Sequence, residues 1–276
     1  MISSALTVSH SELRIGTRNR WVLLSALILL LFALVLGFLG SAPTGTIKTD
    51  PLVITVASLA TLSVYLVPLI ALLLSYDAIA GEIERGTLQL VLATPISRTS
   101  YLMGKFGGHL FIISIAIITG YGFAGVTVFL LSGGNTQGLL DLLRLIITSI
   151  GLGAAFLTIG YVISANVRQT GTAAALAIGV WLVMVVLYDL ALLGALVADG
   201  DGFFAKTVFP YLLVANPADA FRLYNMSTLG SGATSHGFTG FGDALPFAPE
   251  IGLLSLCLWS VLGIAAALYS FRRTEP

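Results

Sequence analysis

Long apolar runs alternate with short polar stretches along the whole chain. Runs of about 18 or more apolar residues are long enough to cross the roughly 30 Å hydrocarbon core of a bilayer as helices. The pattern therefore predicts an all-α, polytopic membrane protein with six transmembrane helices in a single transmembrane domain. The predicted spans 1 to 6 cover residues 21–40, 51–75, 101–131, 139–164, 172–198 and 251–271.

A polar, amphipathic stretch interrupts this pattern at residues 76–100, between spans 2 and 3. Isoleucines four positions apart give residues 77–84 an apolar face, which predicts a first helix. Gly86 breaks that helix, and Thr87 is expected to cap a second one that Pro95 stops. A helix–turn–helix of this kind transmits rigid-body motion, and an interfacial helix that merely anchors the spans is the alternative.

A long polar segment, residues 199–249, separates spans 5 and 6. Its first part is apolar but is broken by prolines and is too short to span, which predicts two short re-entrant helices. Asn216 is expected to cap the second of them, with Pro217 in the first turn and Asp219 at the third position. Residues 227–249 are rich in Gly, Ser and Thr and predict an exposed loop.

The N-terminal residues are polar and basic. Residues 9–20 suit an interfacial elbow helix on the membrane surface, and a plain topology signal is the alternative. The apolar run that follows, residues 21–40, is longer than the roughly 7–15 residues of a secretory signal core. It is therefore expected to remain in the protein as span 1.

Basic residues predict the orientation. With both termini on the same side, that side holds nine of the 13 bases: Arg14, Arg18, Arg20, Arg85, Arg98, Lys105, Arg168, Arg272 and Arg273. The positive-inside rule then predicts an N-in, C-in, multi-pass protein of the inner (plasma) membrane. Residues 76–100 and the polar turn 165–171 face the cytoplasm in this arrangement, and residues 199–249 lie outside.

Composition narrows the function classes. Charged residues make up 9% of the chain, against about 25% in a soluble domain, and a net charge of zero gives no support for binding nucleic acid. The three histidines and four methionines show no metal-ligand spacing, and no set of catalytic side chains stands out, so no metal, cofactor or catalytic site is expected. Asp189, late in span 5, is the candidate for a transport path, with solvation at a helix end or a hydrogen bond in the neighbourhood of Tyr188 as the alternatives.

Motifs in and beside the polar stretch resemble the permease subunits of ABC-2-type transporters. They are Glu82-Ile83-Glu84-Arg85-Gly86-Thr87-Leu88, Leu92-Ala93-Thr94-Pro95-Ile96-Ser97-Arg98 and Gly104-Lys105. The opening Glu12-Leu13-Arg14 and the six-span layout with a large outer segment also resemble that family. The resemblance covers the whole chain and implies the ABC-2, type V exporter-like, permease fold.

The resemblance implies a non-catalytic permease subunit that works with separate ATP-binding subunits. Residues 81–87 lack the lysine of a phosphate-binding loop, so ATP and Mg²⁺ would bind in the partner. In the family, the helix after span 2 inserts into a groove of the ATP-binding subunit, and two such subunits serve a permease homodimer. The implied ATPase-coupling residues are Asp77, Glu82, Glu84, Arg85, Gly86, Thr87, Leu88, Pro95, Arg98 and Arg168.

Within the family, the chain resembles permeases that serve copper-site maturation of nitrous oxide reductase, on Asn166-Val167-Arg168 and on residues 216–222. This resemblance implies transport, or mechanical signalling to a periplasmic β-helical accessory protein, by a chain surrounded by membrane lipid. The implied partner-binding residues are Asn216, Pro217, Asp219, Phe221, Arg222, Phe238 and Phe241. The alternatives are a generic ABC-2 exporter of a lipid, drug or other small molecule, a secondary transporter, and a structural membrane scaffold.

Overall fold

The computed structural model describes residues 7–9, 11, 27–28, 31–32, 34–35, 51–131, 136–200, 202–229 and 246–274. These residues form helices joined by short turns, and no strand occurs among them. The predicted all-α class is confirmed. Within the described ranges, five helices are long and apolar enough to cross a membrane: Pro51–Glu84, Arg98–Leu131, Gly138–Asn166, Thr170–Asp199 and Ile251–Arg273.

The described residues from 51 onward form ten α-helices, and π-helical segments lead into two of them. The α-helices are α1 (Pro51–Ser75), α2 (Ala80–Glu84), α3 (Thr87–Leu92), α4 (Arg98–Leu131), α5 (Thr136–Asn166), α6 (Thr170–Trp181), α7 (Tyr188–Asp199), α8 (Phe209–Ala215), α9 (Pro217–Thr228) and α10 (Ile251–Arg273). The π segments are Leu182–Leu187, before α7, and Phe204–Val208, before α8. Helix α6, the first π segment and α7 together form the fifth span.

The observed helices match predicted spans 2 to 6 to within about one helical turn at each end. Within predicted span 1, residues 27–28, 31–32 and 34–35 are helical, and the rest of that span lies outside the described residues. Most of the predicted elbow helix, residues 9–20, also lies outside them. The six-span count and the orientation therefore stay predictions, and the two ends of the bundle are called below the predicted cytoplasmic and the predicted outer end.

The core lies where α1, α4 and α5 pack together, because each of these helices presents apolar side chains to the other two. Tyr121 and Phe156 are fully buried there. The Ser63 hydroxyl lies 2.7 Å from the Tyr121 hydroxyl and 3.3 Å from that of Ser149. A buried hydroxyl is costly without a partner, so this contact joins three helices without leaving these groups unsatisfied.

The π segment Leu182–Leu187 is a feature that sequence periodicity missed. A π turn bonds residue i to i+5 and holds one more residue than the equivalent α turn. The carbonyl of Met184, inside this segment, accepts a hydrogen bond from the side-chain amide of Asn216 at 2.6 Å. A uniformly apolar run looks the same in either helix type, so its sequence carried no signal of the change.

Helices α8 and α9 are the two short helices that were predicted after span 5. Asn216 joins them in extended conformation, and its side-chain oxygen accepts a hydrogen bond from the backbone N–H of Ala218 at 2.9 Å. Pro217 is the first residue of α9, so the predicted cap is confirmed. With 12 residues, α9 is about 18 Å long and too short to cross a bilayer. Most of the predicted loop, residues 230–245, lies outside the described residues.

Candidate functional site

The turn between α2 and α3 lies at the predicted cytoplasmic end of the bundle. Gly86 has a φ of 69°, in the left-handed region that residues with a Cβ adopt at a cost. An added Cβ would meet nothing within 4 Å, so the backbone conformation, and not lack of space, favours glycine here. Glu84, Arg85 and Thr87 are exposed around it.

Two details of the predicted helix–turn–helix are wrong. Residues 76–79 form a turn, so the first helix begins at Ala80 and not at Asp77, which is half-buried in that turn. The cap of the second helix is Gly86, and Thr87 is its first residue. A side-chain cap was expected from the threonine, but the left-handed glycine reverses the chain direction one residue earlier.

Helices α2 and α3 each pair a buried face with an exposed one. Ile79, just before α2, and Leu88, in α3, are each 1% exposed and pack in a cluster with Tyr101 and Phe271. Leu90, two positions after Leu88, is 71% exposed. A large apolar side chain therefore faces outward at the tip, beside the exposed charges of the turn.

Ser164 of α5 holds the start of α2. Its hydroxyl oxygen accepts hydrogen bonds from the backbone N–H groups of Ile79 and Ala80, at 2.9 and 3.0 Å. The first N–H groups of a helix have no acceptor within the helix, so an external oxygen stabilises it by about 0.5–2 kcal/mol. Local sequence patterns do not predict this contact, because the cap comes from a distant helix.

Glu82 of α2 points into the bundle and pairs with Lys105 of α4. The Lys105 Nζ lies 2.8 Å from Glu82 Oε1, and the two side chains are 6% and 14% exposed. The hydroxyl of Tyr101, one turn earlier in α4, donates to the same carboxylate at 2.5 Å. A buried ion pair of this kind fixes the position of α2 against α4.

Replacing Glu82 by Gln is expected to lower the free energy of unfolding by about 2 kcal/mol, because Lys105 loses its charged partner while an acceptor oxygen remains. The melting temperature of the purified protein in detergent measures this. Glu250→Gln, which changes an exposed glutamate, is the control and should leave the melting temperature nearly unchanged. Equal effects of the two variants would show that the buried pair contributes no stability.

Glu84 links the α2–α3 turn to the second polar turn of the predicted cytoplasmic end. Its Oε2 accepts hydrogen bonds from the backbone N–H of Thr170, at 2.8 Å, and from the Thr170 hydroxyl, at 2.5 Å. Thr170 is the first residue of α6, whose own cap residue, Gln169, makes no side-chain cap. A carboxylate at a helix N-terminus is favoured by the helix dipole, so Glu84 caps the fifth span from outside it.

Arg98, at the start of α4, fastens the end of α10. Its Nη1 donates to three carbonyl oxygens, at 2.8, 3.0 and 2.8 Å, which belong to Phe271, Arg272 and Thr274. A cation is favoured at a helix C-terminus, where the last carbonyls lack intrahelical donors. Pro95 lies exposed in the link just before α4. The predicted coupling residue Arg98 thus holds two spans together.

Arg168, the predicted coupling residue of the second polar turn, is exposed beside a polar cavity of about 360 Å³. The cavity lies between α2, the α5–α6 turn and the end of α10. Its wall includes Ile83, Asn166, Arg168, Arg273 and Thr274. The structure therefore brings the two polar turns and the last helix to one surface, next to the exposed tip of α3.

A second polar group, the Arg222 cluster, consists of Asp189 in α7 and of Asp219 and Arg222 in α9. The Arg222 guanidinium donates to both oxygens of Asp189, at 3.0 and 2.7 Å, and to Asp219 Oδ1 at 3.3 Å. For Asp189, solvation at a helix end was an expected alternative to a role in a transport path. In the structure this residue instead forms a bidentate ion pair that joins the fifth span to α9.

Most of the predicted partner-binding residues lie inside the packed chain. Asn216, Pro217, Asp219 and Phe221 are buried, and Arg222 is 19% exposed at its side chain. Phe238 and Phe241 lie outside the described residues. A partner-binding role for this set stays a prediction, and the buried members would act in it by positioning α9.

Comparison with known proteins decides the family. The family described as "ABC-2 family transporter protein" matches residues 6–275. This chain belongs to the ABC-2 transporter family. A "Probable ABC transporter permease protein NosY" of Stutzerimonas stutzeri is 40% identical over 268 residues, covering 96% of this chain and 97% of the relative. A protein of the same name from Pseudomonas aeruginosa is 38% identical over 269 residues, covering 97% of each.

The predicted resemblance to ABC-2 permeases is thereby confirmed, and the chain is a multi-pass membrane protein that serves as the permease component of an ABC transporter. Among the residues that the structure describes, no group of three or more potential metal ligands comes together. The expectation that this permease binds no cofactor itself stays a prediction. The coupling roles of individual residues also stay predictions, although the structure now shows what each one contacts.

Proposed function

We propose that this permease couples ATP hydrolysis in separate ATP-binding subunits to movement of its own spans. The contact with the ATP-binding subunit is the α2–α3 element, defined here as α2, the Gly86 turn and α3. The observation that carries this proposal is the contrast between the two sides of the element. Its tip is exposed, and its base is bonded to three different spans.

The exposed tip has the mixed character of a docking surface. Leu90 offers apolar area at its centre, and Arg85 and Thr87 offer polar groups beside it. Burying a leucine side chain in a partner's groove contributes about 1.5–3 kcal/mol. When the ATP-binding subunit binds this tip, Leu90 of the permease would be the apolar anchor of the contact.

The base of the element is attached through polar contacts rather than through a flexible loop. Glu82 binds Lys105 of α4, Glu84 binds Thr170 at the start of the fifth span, and Ser164 of α5 caps α2. Displacement of the tip is therefore passed to three spans by short, directional bonds. Such a network suits a two-state movement driven by closure of the ATP-binding subunits.

Replacing Leu90 by Ala is expected to weaken binding of the ATP-binding subunit about tenfold, which corresponds to roughly 1.4 kcal/mol of lost apolar burial. The dissociation constant is measured between the purified permease in lipid nanodiscs and the ATP-binding subunit. Gln89→Ala, an exposed neighbour in the same helix, is the matched control and should bind nearly as the wild type does.

Unchanged affinity of the Leu90→Ala permease would place the contact elsewhere. Failure of the wild-type permease to bind the subunit with or without nucleotide would overturn the coupling proposal itself. Substrate movement that follows an ion gradient and needs no ATP would favour a secondary transporter instead.

We also propose that the permease works as a homodimer in the inner membrane and that the motion is used at the outer end, toward a periplasmic β-helical partner in copper-site maturation of nitrous oxide reductase. The likeness to two permeases named NosY supports this reading. Deleting the gene should leave nitrous oxide reductase polypeptide that lacks copper, measured by metal analysis of the purified enzyme. Fully loaded enzyme from the deletion strain would favour a generic exporter of a lipid or other small molecule.

A further inference from the structure

The Arg222 cluster holds two carboxylates but a single guanidinium, inside packed helices. Both oxygens of Asp189 accept hydrogen bonds from the guanidinium in a bidentate pair, so the charge of Asp189 balances that of Arg222. Asp219 receives the longer bond, at 3.3 Å, on Oδ1. If both acids were ionised, the cluster would carry one net negative charge, and Asp219 would hold it at 3% exposure.

The second oxygen of Asp219 is the unsatisfied atom of the cluster. Oδ2 is buried and has no hydrogen-bond partner among the described residues. The carboxyls of Asp189 and Asp219 share one donor, because Arg222 Nη1 donates to an Oδ1 of each, at 3.0 and 3.3 Å. Two ionised carboxylates are both hydrogen-bond acceptors, and they repel each other. A proton shared between the two acids supplies the missing donor and also removes the uncompensated charge.

We propose that Asp219 and Asp189, held by Arg222, form a proton-binding site where the fifth span meets α9. The proton resides on Asp219, which then donates a hydrogen bond to Asp189, while Arg222 remains paired with Asp189. Binding consumes one proton and releases none. The site does not depend on the coupling role of the α2–α3 element, which lies at the other end of the bundle.

The surroundings of Asp219 favour its neutral form. Burial, followed by the hydrogen bond and charge of Asp189, raises the pKa of Asp219 to about 8, against the opposing charge of Arg222. The other titratable groups that face the cluster are Tyr188 of α7 and Tyr65 of α1. The contacts of α9 with α5 and α10 involve neutral groups: Thr148 bonds Asn225, and Gly252 packs against the carbonyl of Ala220.

The site makes stability depend on pH in a defined direction. An unfolded chain releases the Asp219 proton near the ordinary carboxyl value of about 4, whereas the folded chain holds it up to about pH 8. The folded state binds the extra proton between these values, so its stability falls as the pH rises through this window and levels off above it.

The first test is the melting temperature of the whole permease in detergent between about pH 5 and pH 9. The wild type should melt at lower temperature as the pH approaches 8, whereas Asp219→Asn, which mimics the protonated acid, should lose most of this dependence. Asp141→Asn is the matched control, because Asp141 is also buried and paired with an arginine of its own helix; it should keep the wild-type dependence. An unchanged pH dependence in Asp219→Asn would overturn the proposal.

The second test begins with the wild type, so its first result does not depend on the folding of a variant. Infrared spectroscopy of the wild type should show the carbonyl stretch of a protonated carboxyl at neutral pH, which disappears in a titration above about pH 8. Asp189→Asn should move this midpoint to lower pH by about one unit or more, because the neighbouring negative charge is gone. Absence of the band at neutral pH, or a response to Na⁺ or K⁺ in place of pH, would overturn the site.

Discussion

Replacing Arg222 by Met should lower the free energy of unfolding by about 3–5 kcal/mol, which is the usual cost of removing one partner from a buried ion pair. Asp189 would lose both hydrogen bonds of its bidentate pair, and Asp219 would lose its bond on Oδ1. The ionised carboxylate of Asp189 would then lie between the fifth span and α9 without a counter-ion. We expect little folded permease in the membrane, measured by fluorescence-detected size exclusion and by melting temperature.

The triple variant Asp189→Asn, Asp219→Asn, Arg222→Met is the informative comparison. It removes every charge of the cluster together, so most of the lost stability should return. Arg144→Met provides the control for removing an arginine, because its side chain is 37% exposed and its pair with Asp141 lies within one helix. If the triple variant were as unstable as the single one, buried charge would not be the cause of the loss.

The second large loss of stability is expected from a substitution at the point where α9 and α10 cross. A Cβ on Gly252 would lie 2.6 Å from the backbone carbonyl oxygen of Ala220 and 3.2 Å from the Cβ of Tyr224. No side-chain rotation relieves a clash with a backbone atom, so the two helices would have to separate. Gly252→Ala is therefore expected to cost about 3 kcal/mol, at the upper end of the usual range for overpacking.

Gly179→Ala is the control for this variant, because a Cβ at Gly179 in α6 meets nothing within 4 Å. There alanine should be neutral or stabilising by up to about 1 kcal/mol, through its higher helix propensity. The melting temperatures of the two variants should thus move in opposite directions. Similar shifts would mean that α9 and α10 do not approach as closely as the structure shows.

The helices were predictable because their signals are local. The length of the apolar run placed α1, and Asn216 followed by Pro217 placed the start of α9. The Gly86 break was also visible, since glycine is favoured where the chain takes a left-handed conformation. In each case neighbouring residues decided the outcome, and distant packing did not override them.

The polar contacts were not predictable, because each joins residues that are far apart in sequence. Glu82 lay in a stretch whose charges suggested solvent, yet it turns inward to Lys105 of the next span. Arg222 stood in a polar segment that was expected to meet a partner, yet it pairs with Asp189. Sequence patterns indicate how polar a stretch is, but not which polar side chain will find a buried partner once helices pack.

The π segment of the fifth span changes which face of that helix the following residues occupy. Each residue of an α-helix advances by about 100° around the axis, and the additional residue of a π turn shifts everything beyond it by one such step. Asp189 lies two residues after this segment. The face on which its carboxylate meets Arg222 is therefore set by the π turn, so that a return of residues 182–187 to α-helical geometry, with no residue removed, would turn Asp189 toward a different neighbour without altering any charged residue.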